Sequence, residues 1–203
     1  MDSLPEAQQK LLHLLAPRME ALGYYLAGGT ALAIYFEHRL SVDLDWFTQK
    51  HMGDAMQLAG NLRTELDISI TSTAPGTLHA EAEQVRLSFL EYPYPLINPI
   101  SVSNEFKCPM ASLDDIACMK LSAIAQRGAR KDFLDVYTLV QQHRSLQELL
   151  DLYREKYQVS DIAAVLYGLV YFDDAKDEPD PPQWITPWGD VESAFRNWVK
   201  EIQ

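Results

Sequence analysis

Two aspartates, Asp43 and Asp45, lie two positions apart in an alternating, apolar-rich run that spans residues 41–47. Such alternation predicts a β-strand. Residues i and i+2 of a strand share a face, so both carboxylates point the same way, about 7 Å apart at the backbone. Two like charges held this close repel each other unless a cation lies between them. Oxygen ligands of this kind suit Mg²⁺, which proteins often hold with one or two carboxylates and the phosphates of a substrate.

A glycine pair precedes this strand in the sequence. Gly28 and Gly29 follow the short apolar run 24–27, which predicts a first strand, and Thr30 is predicted to cap a helix over residues 31–36. Backbone N–H groups at such a helix start can hold phosphate oxygens. Taken alone, the glycines fit an ordinary strand-to-helix turn, and the aspartates fit a solvated strand edge. Together they predict a metal–nucleotide site.

Two further polar residues, His38 and Arg39, come just before the strand that carries the aspartates. Arg39 has three open interpretations: it balances the aspartates, contacts a phosphate, or is a surface arginine. His38 is interpreted as a packing or hydrogen-bonding residue, because isolated histidines more often have that role than a catalytic one.

A second cluster of charged residues lies in the C-terminal half. Lys120 and Arg127 are seven positions apart on a predicted helix, hence two turns along one face. A lysine can neutralise phosphate as a point charge, and an arginine can chelate it. The alternative is structural: Lys131 and Asp135 form an i,i+4 ion pair, and Asp132 is an acid at the start of the next helix.

Length and composition restrict the class of protein. With 203 residues and 47% hydrophobic content, the chain can form a folded globular core, as one domain or two small ones. No apolar run approaches the length of a membrane span, and residues 1–6 lack the pattern of a secretory signal. Cys108 and Cys118 are ten apart and predict reduced thiols in a cytoplasmic protein. The net charge of −12 disfavours broad nucleic-acid binding, but not binding of a small nucleotide with its own magnesium.

The hydrophobic period divides the chain near residue 112. The predicted fold is α+β, with a small mixed sheet and flanking helices in residues 1–111 and a helical bundle in residues 112–203. The acidic segment 173–183 is predicted to be a mobile surface loop, and segment 92–99 a proline-rich loop. The predicted helices are 5–22, 31–36, 52–66, 114–126, 130–143, one from 145, one from 160 or 161 to 172, and one after 187; the predicted strands are 24–27, 41–47, 67–71, 77–82 and 85–90.

The motifs in combination resemble the AbiEii/AbiGii toxin family of the polymerase-beta-like nucleotidyltransferase superfamily. Residues 28–32 read Gly-Gly-Thr-Ala-Leu, and residues 38–47 read His-Arg-x-Ser-x-Asp-Leu-Asp-aromatic-Phe. Residues 120–135 match the third motif, Lys…Ala…Arg-Gly…Lys-Asp-Phe-x-Asp. The order of elements is similar over most of the chain, so the fold implied is that of a nucleotidyltransferase.

This resemblance implies a magnesium-dependent enzyme that moves a nucleoside monophosphate from a nucleoside triphosphate to an acceptor, as the toxin of a bacterial toxin–antitoxin or phage-defence pair. The implied partners are the triphosphate, an antitoxin protein, and an acceptor that is an RNA such as tRNA or a protein; the charge of −12 disfavours RNA. The implied roles are metal binding by Asp43 and Asp45, nucleotide binding by Gly28, Gly29, Thr30, Arg39, Lys120 and Arg127, and catalysis by Asp43, Asp45, Lys120 and Asp132.

One position departs from the pattern of the superfamily. Many members have a third carboxylate on a later strand, and the matching strand here, 85–90, has Ser88 at that place. Glu91 has the opposite strand parity and is predicted to face the other way. Without a third acid, activation of the acceptor falls to Asp132, or the activity is weak. The alternative function is a catalytically weak or inactive protein that binds a nucleotide or a protein partner on the same scaffold.

Overall fold

The computed structural model describes residues 4–202, so the outermost positions of the two predicted domains, 1–3 and 203, lie outside the described residues. The helices are α1 (Glu6–Leu22), α2 (Gly28–Phe36), α3 (Ala55–Leu62), α4 (Leu113–Arg127), α5 (Arg130–Gln142), α6 (Leu146–Tyr157), α7 (Ala163–Gly168) and α8 (Trp188–Lys200). The strands are β1 (Tyr25–Ala27), β2 (Asp43–Thr48), β3 (Ser69–Ala74), β4 (Thr77–Ala82), β5 (Val85–Glu91), β6 (Ser101–Val102) and β7 (Pro109–Met110).

The seven strands of residues 4–202 form one mixed sheet in the order β3-β4-β5-β2-β1-β7-β6. Strand β2 lies at the centre, antiparallel to β1 and parallel to β5. The helices that flank this sheet and the helical C-terminal half confirm the predicted α+β class. One continuous hydrophobic core contains residues from both halves. The division into two domains at residue 112 therefore stays a prediction.

Strand β2 alternates strictly between its two faces. Leu44 and Trp46 are fully buried in the core, whereas Asp43 and Asp45 are only partly buried on the opposite face. This is the period of two that a pleated strand imposes on its side chains. The predicted shared face of the two aspartates is thus confirmed.

The start of α2 differs from the prediction. The helix begins at Gly28 after Ala27, and no side chain caps it. The Thr30 hydroxyl instead hydrogen-bonds with Ser41 Oγ at 2.8 Å and with the backbone carbonyl of Asp43. The prediction that Thr30 is the N-cap was wrong, because its side chain is buried and joins α2 to the start of β2.

Other boundaries moved where local signals were weak. Helix α3 is shorter than the predicted 52–66: it begins after Asp54, which caps it by accepting the Met56 N–H, and it ends at Leu62. Helix α7 is a short piece of the predicted 160–172. The two-residue strands β6 and β7 had no sequence signal, and β7 pairs with β1 in parallel. The Ser145–Glu148 capping box that opens α6 was predicted and is confirmed.

The acidic segment 173–183 lies at the surface but is anchored. The buried side chain of Arg130 donates from Nε to Asp180 at 2.7 Å, and the Arg130 backbone N–H donates to Glu178. The Leu40 N–H donates to the Pro182 carbonyl at 3.0 Å. These contacts hold the segment beside the start of β2. The sequence analysis predicted a mobile surface loop and did not predict these contacts.

The C-terminal helix packs on its own chain. Phe195 of α8 contacts Phe133 of α5 with ring centroids 5.3 Å apart, and Trp188 lies 5.8 Å from the same ring. This aromatic packing buries the apolar face of α8 against α5. Between residues 4 and 202, no helix has both the length and the apolar character needed to cross a membrane.

Candidate active site

The two aspartates of β2 differ in their surroundings. Asp43 accepts a hydrogen bond from Arg86 Nε at 2.8 Å, and Lys131 Nζ lies 3.7 Å from its other oxygen. Burial raises the pKa of Asp45; the Ser88 hydroxyl opposes this by hydrogen bonding, and the charge of Asp43 adds to it. A divalent cation between the two carboxylates would relieve both the desolvation and the repulsion.

Gly28 allows the backbone to approach Asp45 closely. Its φ of 71° lies in the left-handed region, which favours glycine. A Cβ atom at Gly28 would lie 3.2 Å from Asp45 Oδ2. The glycine therefore keeps open the space beside this carboxylate.

Gly29 lies against Arg39 rather than against open space. A Cβ atom at Gly29 would meet Arg39 Nη2 at 2.5 Å. The Arg39 guanidinium donates two hydrogen bonds to Asp135, from Nε at 2.7 Å and from Nη2 at 2.8 Å. Of the three interpretations of Arg39, the surface arginine was wrong, since its side chain is buried against α5. Its contact with nucleotide stays a prediction.

A network of charged groups, all buried except the exposed Arg127, connects α4 and α5 behind the glycine turn. Lys120 Nζ lies 2.8 Å from Asp132 Oδ1 and 2.7 Å from Asp135 Oδ2, and Arg127 Nε donates to Asp132 Oδ2 at 2.8 Å. Burial opposes ionisation of Asp132, but Lys120 and Arg127 outweigh it and hold the pKa of Asp132 below its ordinary value. Lys120 and Arg127 therefore share a helix face, as predicted.

Asp135 is the residue of this network whose partners the sequence did not reveal. The ion pair with Lys131, weighed as the structural alternative, was wrong, since Lys131 lies near Asp43 instead. His38 Nε2 contacts Asp135 Oδ1 at 2.8 Å, which fits the hydrogen-bonding role predicted for His38. Burial would raise the pKa of Asp135, but Arg39 and Lys120 hold it well below its usual range. The sequence separation of 96 between Arg39 and Asp135 gave no local signal.

A cleft of 520 Å³ opens beside these groups. This volume is within the range of small-molecule sites in proteins. A second, smaller cleft of 160 Å³ shares Asp45, Lys120 and Arg127 with it and also contacts Asp43, Lys131, Pro181 and Pro182. The main cleft is lined by Gly28, Asp45, Phe47, His79, Ser88, Leu90, Tyr92, Met119, Lys120, Ser122, Ala123, Gln126 and Arg127.

The structure brings most of the predicted site residues together. Thr30 is the exception, because its side chain is buried and faces Ser41. The register pairs Ser88 of β5 with Asp45 of β2. Glu91, at the end of β5, instead accepts a hydrogen bond from the Met52 N–H. His79 and Arg86 were not predicted: alternation gives each one a face of its own strand, but only the pairing of β4 with β5 and of β5 with β2 places that face beside Asp45.

The donor set fits a magnesium ion that the substrate helps to hold. Within residues 4–202, no three His, Cys, Asp or Glu side chains are grouped so as to bind a metal. Two carboxylates with an open space kept by Gly28 are what a site of this kind supplies when substrate phosphates complete the coordination. The arrangement therefore suits a metal–triphosphate complex better than a free ion.

The fold is that of the nucleotidyltransferases. The chain is similar to MenT4, a nucleotidyltransferase toxin from Mycobacterium tuberculosis H37Rv, with a TM-score of 0.65, 14% identity, and coverage of 97% of this chain and 82% of that chain. It is also similar to a protein from H. pylori assigned as a nucleotidyltransferase, with a TM-score of 0.59, 16% identity, and coverage of 96% and 92%.

The sequence identifies the family more narrowly. Residues 49–195 match the family described as "Nucleotidyl transferase AbiEii toxin, Type IV TA system". "Uncharacterized protein aq_aa25" from Aquifex aeolicus (strain VF5) is 36% identical over 204 residues, which cover 99% of this chain and 98% of that protein. The chain belongs to the AbiEii nucleotidyltransferase toxin family. The matched range begins after Asp45, so this assignment is independent of the glycine turn and the aspartate pair.

Proposed function

We propose that this chain is a magnesium-dependent nucleotidyltransferase that moves a nucleoside monophosphate from a nucleoside triphosphate to an acceptor and releases pyrophosphate. The observation that carries the proposal is the position of Asp45. It lies between the left-handed turn at Gly28 and the Lys120 ammonium group, in a cleft of 520 Å³. Family membership supports nucleotidyl transfer as the class of reaction.

Each group in the cleft has a defined role in this proposal. Asp43 and Asp45 hold the metal ion, which would supply charge neutralisation at the reacting phosphate. The backbone at Gly28 and Gly29 lines the phosphates at the start of α2. Lys120 stabilises the charge that develops as pyrophosphate leaves. Its two buried carboxylate partners fix its ammonium group, so little reorganisation accompanies the reaction.

Arg86 and Lys131 bear on how the metal is bound. Both cations lie beside Asp43, and both side chains are largely exposed, at 69% and 46%. They partly neutralise Asp43 and can move into solvent when the metal and triphosphate arrive. The same cations are free to contact phosphates of an acceptor, which is how a chain of net charge −12 would present a local basic surface.

The biological setting proposed is a toxin with a cognate antitoxin in the bacterial cytoplasm, in phage defence. Its support is the family, whose description names a toxin–antitoxin system. The acceptor is proposed to be an RNA such as tRNA, or a protein.

The test uses the four α-³²P-labelled nucleoside triphosphates with pooled bacterial tRNA, with and without added protein acceptors. We expect magnesium-dependent transfer by the wild type and a loss on the order of a hundredfold or more in Asp45→Asn. Asp67→Asn, which makes the same charge change at an exposed residue before β3, is the matched control. Absence of labelled product, together with absence of a shift in Tm on adding triphosphate and magnesium, would reject the proposal.

A second candidate function is binding without transfer. It is favoured by Ser88 at the position opposite Asp45 and by Asp132, whose two oxygens are both occupied by Lys120 and Arg127. A Tm that rises with triphosphate and magnesium, without labelled product from any of the four nucleotides, would select this candidate.

A further inference from the structure

Three polar residues form a row across three neighbouring strands. The register pairs Asp45 of β2 with Ser88 of β5, and Ser88 with His79 of β4. Residues paired in this way lie on the same face of the sheet, and all three line the 520 Å³ cleft. Two interstrand steps of about 4.8 Å separate the backbones at Asp45 and His79, so Ser88 lies between them and the cleft lies above the row.

Hydrogen bonding along this row defines which nitrogen of His79 carries the proton. His79 Nδ1 lies 3.2 Å from Ser88 Oγ, and the Ser88 hydroxyl hydrogen-bonds to Asp45, which opposes the rise that burial causes in the pKa of Asp45. A serine hydroxyl has only one proton to donate. If Ser88 donates to Asp45, His79 must donate from Nδ1 to Ser88, which leaves the Nε2 lone pair unprotonated.

That lone pair is available to a substrate. Throughout residues 4–202, His79 Nε2 has no hydrogen-bonding partner, and the imidazole is only partly buried at the wall of the cleft. Asp132, by contrast, has a fully buried side chain with Lys120 on one oxygen and Arg127 on both. A proton acceptor for the incoming hydroxyl is therefore better supplied by His79 than by Asp132.

We propose that His79 is the general base that activates the acceptor, in place of the carboxylate that Ser88 replaces. The acceptor hydroxyl gives its proton to His79 Nε2 as its oxygen forms a bond to the α-phosphorus. The bond between the α-phosphorus and the bridging oxygen breaks, and pyrophosphate leaves with that electron pair. The imidazolium is held in place by Ser88 and Asp45 and then releases its proton to solvent. This inference rests on the proposed nucleotidyl transfer.

His79→Asn separates catalysis from structure. The asparagine amide can occupy the place of Nδ1 and keep the hydrogen bond to Ser88, but it has no group at the position of Nε2. The assay measures transfer of label from α-³²P-labelled nucleoside triphosphates to pooled tRNA at saturating and limiting triphosphate. Glu81→Gln, an exposed position on the same strand face outside the cleft, is the matched control.

We expect kcat to fall on the order of 10²–10⁴-fold in His79→Asn, with KM for the triphosphate unchanged. In His79→Gly, which opens space beside Ser88, we expect added imidazole to restore part of the lost kcat. The control should keep the wild-type rate.

The outcomes separate this inference from the proposed function. Full kcat in His79→Asn, or a change confined to KM, would reject the general-base role while leaving nucleotidyl transfer intact. Equal losses in His79→Asn and His79→Gly with no rescue by imidazole would also reject it. Absence of transfer by the wild type would reject both.

Discussion

Within residues 4–202, two buried lysine–aspartate clusters each include a residue of α4, and they differ in what they can do. Lys156 and Asp115 are both fully buried (0% exposed), and their nitrogen and oxygen lie 2.7 Å apart. Lys120 has a similar ion-pair distance to Asp132, but its ammonium group borders both clefts. The distances are alike, so access to the cleft distinguishes the two clusters.

The cluster at Lys156 is saturated by its own chain. Asp115 accepts hydrogen bonds from the backbone N–H groups of Ile97 and Asn98 and from Ser112, and Lys156 also donates to the Pro95 carbonyl. It ties the proline-rich loop to α4 and α6. Both oxygens of Asp115 and the Lys156 ammonium group have partners within the chain, so the cluster specifies the fold and does not face a ligand.

The largest predicted effect on stability is at this closed cluster. We expect Lys156→Met to lower the free energy of unfolding by about 3–5 kcal/mol, because the fully buried Asp115 loses the cation that pairs with it. Urea denaturation measures the loss. The protein that remains folded should transfer nucleotide at the wild-type rate, and a reduced rate per folded molecule would end the distinction between the clusters.

Lys120→Met should have the opposite effect: a large loss of transfer rate and a smaller loss of stability. We expect transfer to fall on the order of 10²–10³-fold, since the proposed role of Lys120 is to stabilise the charge that develops as pyrophosphate leaves. The loss of stability should be smaller than for Lys156→Met, because Asp132 keeps Arg127 and Asp135 keeps Arg39. Rates and urea midpoints measured on both variants test this. A Lys120→Met protein that is less stable than Lys156→Met but fully active would contradict the assignment.

Acid should lower the stability that the cluster at Lys120 contributes, because its two carboxylates, Asp132 and Asp135, become protonated. The pKa of Asp135 is held well below the ordinary value of 3.8, and that of Asp132 is lowered as well. A depressed pKa stabilises the fold above the unfolded value and loses this contribution as the pH falls through the folded one. We therefore expect the unfolding free energy to be steady near neutrality and to fall below about pH 4. The fall of the unfolding free energy with decreasing pH should be shallower in Asp135→Asn. An unchanged slope would show that other carboxylates dominate the acid sensitivity of the fold.

The smallest effect is predicted at Arg86, at the edge of the active site. Its side chain is 69% exposed, and such surface ion pairs contribute about 0–1 kcal/mol. We expect Arg86→Ala to leave Tm within a few degrees of the wild type while changing the magnesium concentration needed for half-maximal transfer, because Asp43 loses a competing cation. A titration of magnesium against the transfer rate measures this. No change in that concentration would mean that Arg86 leaves Asp43 free when substrate is present.

Local patterns predicted the parts of the site that belong to single elements. The period of two in β2 placed Asp43 and Asp45 on one face, and the seven-residue spacing in α4 placed Lys120 and Arg127 on one side of a helix. These relations depend only on the geometry of a strand or a helix. The motif combination also led to the correct family and fold class.

Relations between distant elements had no such signal. Arg39 reaches Asp135, Arg130 anchors the acidic segment, and Lys131 turns toward Asp43 rather than along its own helix. The same residues could have formed local i,i+4 pairs or faced solvent. Which partner each one has is decided when α5 packs behind the glycine turn.

The sequence by itself determined most of the longer elements, the family and the face on which the two acids lie, because these follow from backbone periodicity and short motifs. Only the tertiary structure decided that His79 stands in line with Asp45, that Asp132 is neutralised, and that one lysine borders a cleft while another is closed off. Strand order and helix packing bring together residues far apart in the chain, and burial then sets which charges must pair.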